Sequence, residues 1–529
     1  MTTCSADGRP PKADSRDTIF EAHENGITAV GNRLTARGRR MMNLMNDSAL
    51  PALSPAGRYL ILICAFLGWF CAGFHLSISS LAMQPAAVDL LGRTGELDVA
   101  RYQKLIKLVP KKNSASPTMS AAEKVEWEGM KSLVTSWFAW LTCAFLFGAA
   151  SGGLIFGRLG DRFGRSKAMA WSVLTYSVMA GAASLSQAPW QLLVLWYLAC
   201  TGVGGMWPNG VALVSEAWSS LSRPAAAGVI GTSANIGIFL VSTLRAKISL
   251  VAAWPLWASF SGDYLPSGWQ VGVDGSFLAW RWLPVIGAVP VILGIFALLF
   301  VPESPRWLAT RRDTDSADQP AAPAMSEIFR SPLLRVTLVG IALATIPLFG
   351  GWGSANWMVP WAGEVGESLS PPDKELPANV QQARSFAGII GSLLGGWIAS
   401  QLGRRRTYFL TSLLCLVCAQ YTFWFLSPAD RTLFLCGVGA VGFFSGIYFG
   451  WLPLCLPELF PTRVRSTGAG VSFNFGRVLT AVTVFATSLV TAFFGGDYAK
   501  IGRATSLCFA LGLLIIWLAP DTSQKQLED

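Results

Sequence analysis

Three basic side chains lie inside long apolar stretches of the sequence, where a charge or a titratable ring needs a physical reason. His75 is one of only two histidines in the chain, and Arg384 and Arg477 lie among apolar and small residues. A guanidinium in an apolar environment is costly unless it meets an anion, so the arginines favour an acidic ligand. An imidazole ionises near neutral pH, so His75 is a candidate for proton transfer or ligand contact. The alternatives are an interfacial Arg384, an internal partner for Arg477 and an interhelical hydrogen bond for His75.

A second set of charged residues belongs to an internal repeat. Gly-Arg-Leu-Gly-Asp-Arg-Phe-Gly-Arg at 157–165 matches 396–404 at an offset of 239 residues, with Gly, Leu or Phe, Gly and Arg in phase. Glu, Arg and Gly recur with spacings of seven and twelve residues, offset by 242, at Glu216, Arg223, Gly228 and at Glu458, Arg465, Gly470. Duplication of a helical membrane unit is typical of alternating-access transporters.

The first copy of this motif predicts a close junction between helix ends. Gly157 and Gly160 allow two helices to approach closely. Asp161 can cap the next helix or face its positive N-terminal end. A basic turn alone would explain the arginines but neither the phased glycines nor the second copy.

The elements that position these residues are predicted from hydropathy. Of the 529 residues 52% are apolar and 14% charged, with a mean hydropathy of +0.44. Such a chain is too apolar for a water-exposed surface, and runs of roughly 20 apolar residues match the ~30 Å hydrocarbon core of a bilayer. We place twelve membrane-spanning helices near 59–82, 132–156, 168–187, 190–217, 225–249, 282–301, 335–358, 382–401, 407–427, 431–456, 467–493 and 502–519.

The distribution of Lys and Arg predicts the orientation. The short connections 157–167, 302–334, 402–406 and 457–466 are rich in Lys and Arg, whereas the opposite ones carry three such residues, Arg281, Lys374 and Lys500. Basic connections stay in the cytoplasm. We therefore expect a disordered cytoplasmic tail (1–50), an N-terminal six-helix half (51–301) with an external loop (83–131), a cytoplasmic linker (302–334), a C-terminal half (335–519) and a cytoplasmic tail (520–529).

Several other functional classes are disfavoured. The net charge of +10 comes from short clusters between apolar runs, which fits membrane orientation better than nucleic-acid binding. The sequence lacks an HExxH motif, paired intramembrane carboxylates and Cys/His metal-ligand spacing. We therefore predict no enzyme activity, no cofactor and no metal. A transporter-like nutrient receptor is a remote alternative.

Four motifs carry a family resemblance. The 157–165 motif resembles the loop between the second and third helices of the major facilitator superfamily, and Gly403-Arg404-Arg405-Arg406 resembles its second copy. Pro-Glu-Ser-Pro-Arg-Trp-Leu at 302–308 and Pro-Glu-Leu-Phe-Pro-Thr-Arg-Val-Arg-Ser-Thr-Gly at 457–468 resemble elements of the sugar-porter and metabolite:proton symporter branches. The resemblance implies an all-α membrane fold of two pseudo-symmetric six-helix halves. It further implies a charge network that joins these halves in the outward-facing state, formed by Asp161, Arg165, Glu216, Arg223, Glu303, Arg404, Glu458 and Arg465.

The resemblance also indicates which helices line the solute cavity. Polar and aromatic residues near the middle of those helices, besides His75, Arg384 and Arg477, are candidate solute contacts: Trp207, Asn209, Asn235, Trp352, Asn356, Trp357, Tyr448, Trp451 and Asn474. Asn can bind hydroxyls and Trp can stack on sugar rings. The alternatives are interhelical hydrogen bonds for each Asn and interfacial anchoring for each Trp.

Departures from the family pattern limit the substrate prediction. The fifth span lacks the glutamine that is typical of sugar porters, and the first span lacks the aspartates typical of sialic-acid and aromatic-acid symporters. We expect a monomeric, lipid-embedded secondary transporter in a bacterial inner membrane, moving an organic acid or acidic sugar. Proton symport and facilitated diffusion both stay open, and a neutral sugar or polyol is the alternative cargo.

Overall fold

The computed structural model of the chain describes residues 53–108, 120–218, 223–246, 280–315, 325–351, 357–371, 373, 375–485, 493–494 and 497–522. The described residues are predominantly helical and contain no β-strand. We call the helices before Pro302 the N-terminal half and those from Leu333 onward the C-terminal half. Trp352 and Asn356, two predicted solute contacts, lie outside the described residues.

The N-terminal half contains nine helices in the described ranges. They are α1 (Pro55–Leu81), α2 (Met83–Arg93), α3 (Val99–Leu108), α4 (Ala121–Phe163), α5 (Arg165–Ala183), α6 (Pro189–Ala217), α7 (Arg223–Ala246), α8 (Trp282–Ala288) and α9 (Val291–Phe300). Helix α10 (Pro305–Asp315) and a 3₁₀ turn (Met325–Phe329) follow in the segment expected to be a linker. That segment is therefore partly helical.

The C-terminal half repeats the pattern. Its described helices are α11 (Leu333–Phe349), α12 (Met358–Ser368), α13 (Leu376–Leu402), α14 (Arg404–Phe425), α15 (Arg431–Glu458), α16 (Arg465–Phe485), α17 (Tyr498–Ser506) and α18 (Cys508–Ile515), with 3₁₀ turns at Thr462–Val464 and Ile516–Leu518. Each of the twelve predicted spans overlaps at least one described helix of the N-terminal or C-terminal half.

Eight helical segments of the described chain are long and apolar enough to cross a membrane. Leu333–Phe349 is also apolar but shorter. Helices α5, α6 and α16 coincide with predicted spans but are less apolar because they carry many small and polar residues. In α6, for instance, every residue from Ala199 to Ala217 is buried. These helices are enclosed by protein on most sides, so their sequence does not need to match lipid.

The segment 83–131, predicted as an external loop, contains helices in its described residues. Its described residues form α2, α3 and the start of α4, which Ser120 initiates with a capping box to Glu123. Leu91, Leu97, Tyr102 and Val134 form a small core there. With 43 residues, α4 is about 65 Å long, roughly twice the hydrocarbon thickness. An apolar run marks only the part of a helix that crosses the membrane, so hydropathy could not predict how far α4 continues beyond it.

The two halves meet along equivalent helix pairs. Helix α4 packs on α16, and α7 packs on α13 and α15. At the first pair a Cβ on Gly157 would lie 2.8 Å from the Ser466 carbonyl oxygen, and at the second a Cβ on Gly396 would collide with the Pro224 carbonyl. Since these glycines are repeat-equivalent, the motif places a close backbone contact on each side of the interface.

Candidate functional site

One end of the half–half interface is held by a cluster around the buried carboxylate of Glu216, which we call the Glu216 cluster. Arg465 of α16 lies 2.8 Å from Glu216, and Arg165 of α5 lies 3.4 Å from it. All three side chains are fully buried. Since Glu216 and Arg465 belong to different halves, their ion pair joins the halves directly. A buried ion pair is stable only when both charges stay paired.

Asp161 adds a helix cap to the Glu216 cluster. Its carboxylate accepts hydrogen bonds from the backbone N–H groups of Ser466 (3.1 Å) and Thr467 (2.8 Å), and from the Thr467 hydroxyl. It also lies 3.2 Å from Arg165. An acidic group at a helix N-terminus satisfies unpaired N–H groups and interacts favourably with the helix dipole. Asp161 of the N-terminal half thus caps the start of α16, a helix of the C-terminal half.

The residues that follow α9 close the same cluster. Glu303 accepts hydrogen bonds from the backbone N–H groups of Arg165 (2.9 Å) and Ser166 (3.2 Å), while the Ser304 hydroxyl bonds to Glu216. Burial raises the pKa of the Glu303 carboxyl above its usual value, opposed by these N–H donors and the Arg165 charge. The indole N–H of Trp307 donates to the Asp161 carbonyl at 2.8 Å.

A second cluster surrounds Glu458, and we call it the Glu458 cluster. Arg404 pairs with Glu458 at 3.0 Å within the C-terminal half, and Arg223 approaches it from the N-terminal half at 3.9 Å. The Thr522 hydroxyl donates to Glu458 at 2.7 Å. The structure therefore brings all eight residues predicted as a charge network into two clusters at the same end of the helix bundle.

A buried cation lies farther along the interface, in the middle of α16. Arg477 is 5% exposed, and its guanidinium carbon is 5.6 Å from the ring centroids of both Phe145 in α4 and Phe473 in α16. Its Nη1 has no hydrogen-bond partner among the described residues. Cation–π contact stabilises the charge in part. A guanidinium so placed can donate hydrogen bonds to the carboxylate of a ligand.

Aromatic rings and one amide accompany this arginine. Trp207 of α6 stacks on Phe473 with centroids 3.8 Å apart and rings inclined by 9°. Trp69 of α1 meets Phe473 edge-on at 6.1 Å. Asn474 donates to the Gly204 carbonyl of the opposite half at 3.1 Å. Two predicted contacts, Trp207 and Asn474, therefore lie with Arg477 where α1, α4, α6 and α16 meet.

The repeat-equivalent side of the interface carries Asn235 and Arg384. Asn235 of α7 donates to the Ser392 hydroxyl of α13 at 3.1 Å, across the halves. Arg384 of α13 is half-buried and donates to the Gly351 carbonyl (3.2 Å) and the Gln381 side chain (3.1 Å). Asn235 thus lies at the interface, whereas these two hydrogen bonds of Arg384 stay within its own half, and the polar side chains of both already have protein partners.

The remaining predicted contacts pack within a single half. The ring of His75 is fully buried against Tyr176 and Trp196 of the N-terminal half. Asn209 donates to the carbonyl of Phe156 at 2.9 Å. In the C-terminal half Tyr448 bonds to Ser412 (2.7 Å), Trp451 donates to the Arg404 carbonyl (2.9 Å), and Trp357 stacks on Tyr498 (6.0 Å). The structure does not bring these five residues together with Arg477.

Sequence reasoning missed three neighbours of the predicted residues. Phe145 contacts Arg477, and the hydroxyls of Ser304 and Thr522 bond to Glu216 and Glu458. Phe145 occupies the position in the first repeat that corresponds to Arg384 in the second, 239 residues later. Because Arg384 was a candidate solute contact, the repeat could have indicated Phe145 as well. Ser304 and Thr522 occupy the third position of Pro-Glu-Ser and Pro-Asp-Thr, which follow the last helix of each half. The similarity of these two tripeptides could have indicated that both hydroxyls have equivalent roles.

The arrangement has recognisable relatives. The family model of the Major Facilitator Superfamily matches residues 59–484. The cis,cis-muconate transport protein of Acinetobacter baylyi is 28% identical over 380 residues, covering 70% of this chain and 83% of that protein. The sialic acid transporter NanX of Escherichia coli is 21% identical, covering 67% and 78%.

Solved structures agree on the fold. The proton:xylose symporter XylE superposes with a TM-score of 0.61 at 17% identity, covering 90% of this chain and 98% of that one. The human organic anion transporter MFSD10 gives a TM-score of 0.58 at 14% identity, covering 88% and 100%. The predicted all-α membrane fold is confirmed, and the protein is a transporter of small solutes, not an enzyme. The chain therefore belongs to the major facilitator superfamily, because the model of that family matches most of its length.

Proposed function

We propose that this transporter moves a small organic anion across the membrane by alternating access, and that Arg477 binds the anionic group. The observation that carries the proposal is the buried guanidinium at the half–half interface, whose Nη1 lacks a partner among the described residues. Desolvating a cation is costly, and a bound carboxylate repays that cost. Alternating access needs a site that both halves share, and Phe145 and Arg477 supply one side chain from each half.

The names of relatives support an anionic cargo. Muconate, sialic acid and the niacin of the Acinetobacter baylyi transporter NiaP are all carboxylates at neutral pH. The Probable polyol transporter 4 of Arabidopsis thaliana, 25% identical over 442 residues, favours a neutral polyol as the second candidate. The two classes differ in one requirement, since only an anion needs the charge of Arg477.

The ion-pair clusters indicate which contacts break and re-form during the proposed transport cycle. The Lys and Arg distribution supports a cytoplasmic position for the end that carries both clusters and for both termini, and the bacterial relatives support a bacterial inner membrane. With the Glu216–Arg465 and Asp161–α16 contacts formed, the halves are joined at that end. Opening toward the cytoplasm requires these contacts to break while contacts at the other end form, which is the bistable behaviour that a rocking transporter needs.

Uptake into proteoliposomes tests the substrate class. The panel holds a dicarboxylate, sialic acid, nicotinate and a neutral polyol, each with and without a proton gradient. We expect uptake of at least one carboxylate, and at least a tenfold loss of its uptake in Arg477→Gln, equal to about 1.4 kcal/mol. Arg431→Gln removes an exposed arginine paired with Asp373 and is the matched control, expected to transport normally.

Two outcomes would contradict the proposal. Polyol uptake that Arg477→Gln leaves unchanged would support the neutral alternative. Ligand binding without flux of any compound would favour a receptor. Acceleration of uptake by an inward proton gradient would assign proton symport, and counterflow without any gradient would assign facilitated diffusion.

A further inference from the structure

Asn235 of α7 occupies the position in the N-terminal half that corresponds to Arg477 in the C-terminal half. The two residues are 242 positions apart, which is the offset of the Glu, Arg and Gly repeat. Each lies twelve residues after the arginine at the start of its helix, which is Arg223 in α7 and Arg465 in α16. The duplication therefore relates a neutral amide on one side of the interface to the buried cation on the other.

The start of each helix fixes the depth of these two residues. Arg223 and Arg465 belong to the two charge clusters at the same end of the helix bundle. Twelve residues of α-helix rise by about 18 Å, so Asn235 and Arg477 both lie roughly halfway through a hydrocarbon core of ~30 Å. The halves of this fold are related by an axis along the membrane normal. Asn235 therefore faces the middle of the interface from the α7–α13 side, opposite Arg477 on the α4–α16 side.

The carboxamide of Asn235 has further hydrogen-bonding capacity. Asn235 is half-buried, and its amide N–H donates to the Ser392 hydroxyl at 3.1 Å. Within the part of the chain that the structure describes, this is the one hydrogen bond of its side chain. A carboxamide also has a second N–H donor and an oxygen that accepts. Asn235 can therefore bind a polar group of a solute while its contact with Ser392 stays in place.

We propose that Asn235 is a second solute contact and that the cargo is a bifunctional acid. The carboxylate of this acid binds Arg477, and a hydroxyl or a second carboxyl group at its far end binds Asn235. The inference rests on the proposed function and narrows its organic anion to one with polar groups at both ends. An acid with an apolar far end would take the Asn235 amide out of water without replacing its hydrogen bonds, which costs affinity.

Two pairs of acids test this requirement in the parent transporter. In the first pair, sorbate has the conjugated chain of trans,trans-muconate but a methyl group in place of the second carboxyl. In the second pair, benzoate lacks only the far hydroxyl of 4-hydroxybenzoate. In uptake into proteoliposomes, we expect the bifunctional member of at least one pair to have a KM about tenfold lower than the other member, which is the effect of one such hydrogen bond.

Asn235→Leu should remove this preference, because leucine has a similar size but no polar side-chain atom. Ser392→Ala is the matched control, since it removes the same cross-half hydrogen bond but keeps the amide. It should retain the preference for the bifunctional acid. Asn235→Ala is a second variant that should give the same loss as Asn235→Leu, and the Tm in detergent shows whether each variant is folded.

Three outcomes would overturn the proposal: equal KM values within both pairs, an equal loss for both members in Asn235→Leu, or loss of the preference in Ser392→Ala. Uptake of none of the four acids would overturn it as well. Arg477→Gln separates this inference from the proposed function, because it should weaken uptake of every transported acid, whereas Asn235→Leu should weaken uptake of the bifunctional acids alone.

Discussion

The Glu216 and Glu458 clusters occupy repeat-equivalent positions but hold the halves together to different degrees. Glu216 pairs with Arg465 of the other half at 2.8 Å, and no part of either side chain is exposed. Glu458 pairs mainly with Arg404 of its own half at 3.0 Å, and its cross-half partner Arg223 is 3.9 Å away. The duplicated motif therefore supplies one strong and one weak connection between the halves.

The position occupied by Asp161 explains much of this asymmetry. At the offset of the repeat, the C-terminal half has Ser400 in place of Asp161. The Ser400 hydroxyl is exposed and donates to the Trp397 carbonyl of its own helix, whereas Asp161 caps α16 across the interface. One interface thus has a charged helix cap and the other does not, so we expect opening to require more free energy at α4–α16 than at α7–α13.

Breaking the Glu216 cluster should have the largest effect on stability. Glu216→Gln leaves Arg165 and Arg465 without their shared carboxylate in a fully buried site. Removing one partner of a buried pair costs about 3–5 kcal/mol. We expect a clearly lower Tm in detergent than for the parent protein.

Glu458→Gln is the matched comparison for that measurement. Arg404 is partly exposed and also donates to the Ala399 carbonyl at 2.9 Å, so its charge keeps solvent and protein contacts. Glu458→Gln should therefore lower Tm less than Glu216→Gln does. Equal losses would mean that the asymmetry of the two clusters has no energetic consequence.

The asymmetry also predicts a kinetic difference. Asp161→Asn removes the charge that caps α16, so the state joined at this end should be less populated and transport should slow, while ligand affinity changes less. Ser400→Ala, at the equivalent position, should change neither quantity. Uptake into proteoliposomes measures the transport rate, and calorimetry measures the ligand affinity. A parallel loss of rate and affinity in Asp161→Asn would count against a conformational role.

The sequence was informative about these clusters for a physical reason. Charged residues at helix ends, repeated with fixed spacing, can be recognised without knowing how the helices rotate, so Glu216, Arg223, Glu458 and Arg465 were predicted together. The side on which a mid-helix residue points is not visible in this way. Tyr448 and Trp451 face neighbours within their own half, and Asn209 binds a carbonyl of the adjacent helix. Arg477 was predicted as a solute contact because an arginine inside an apolar helix is rare enough to need a reason, and that role stays a prediction.

The smallest expected effect concerns the two hydroxyls that complete the clusters. The Ser304 hydroxyl bonds to Glu216 and accepts the Trp307 backbone N–H at 3.2 Å, whereas the Thr522 hydroxyl bonds only to Glu458 within the part of the chain that the structure describes. A hydrogen bond to a charged group contributes about 1.5–3 kcal/mol, and a neutral one about 1 kcal/mol. Ser304→Ala should therefore lower the free energy of unfolding more than Thr522→Val does, each by less than Glu216→Gln. A larger loss in Thr522→Val would show that the segment after α18 stabilises the Glu458 cluster more than its single bond implies, and that the clusters differ less than the cross-half distances indicate.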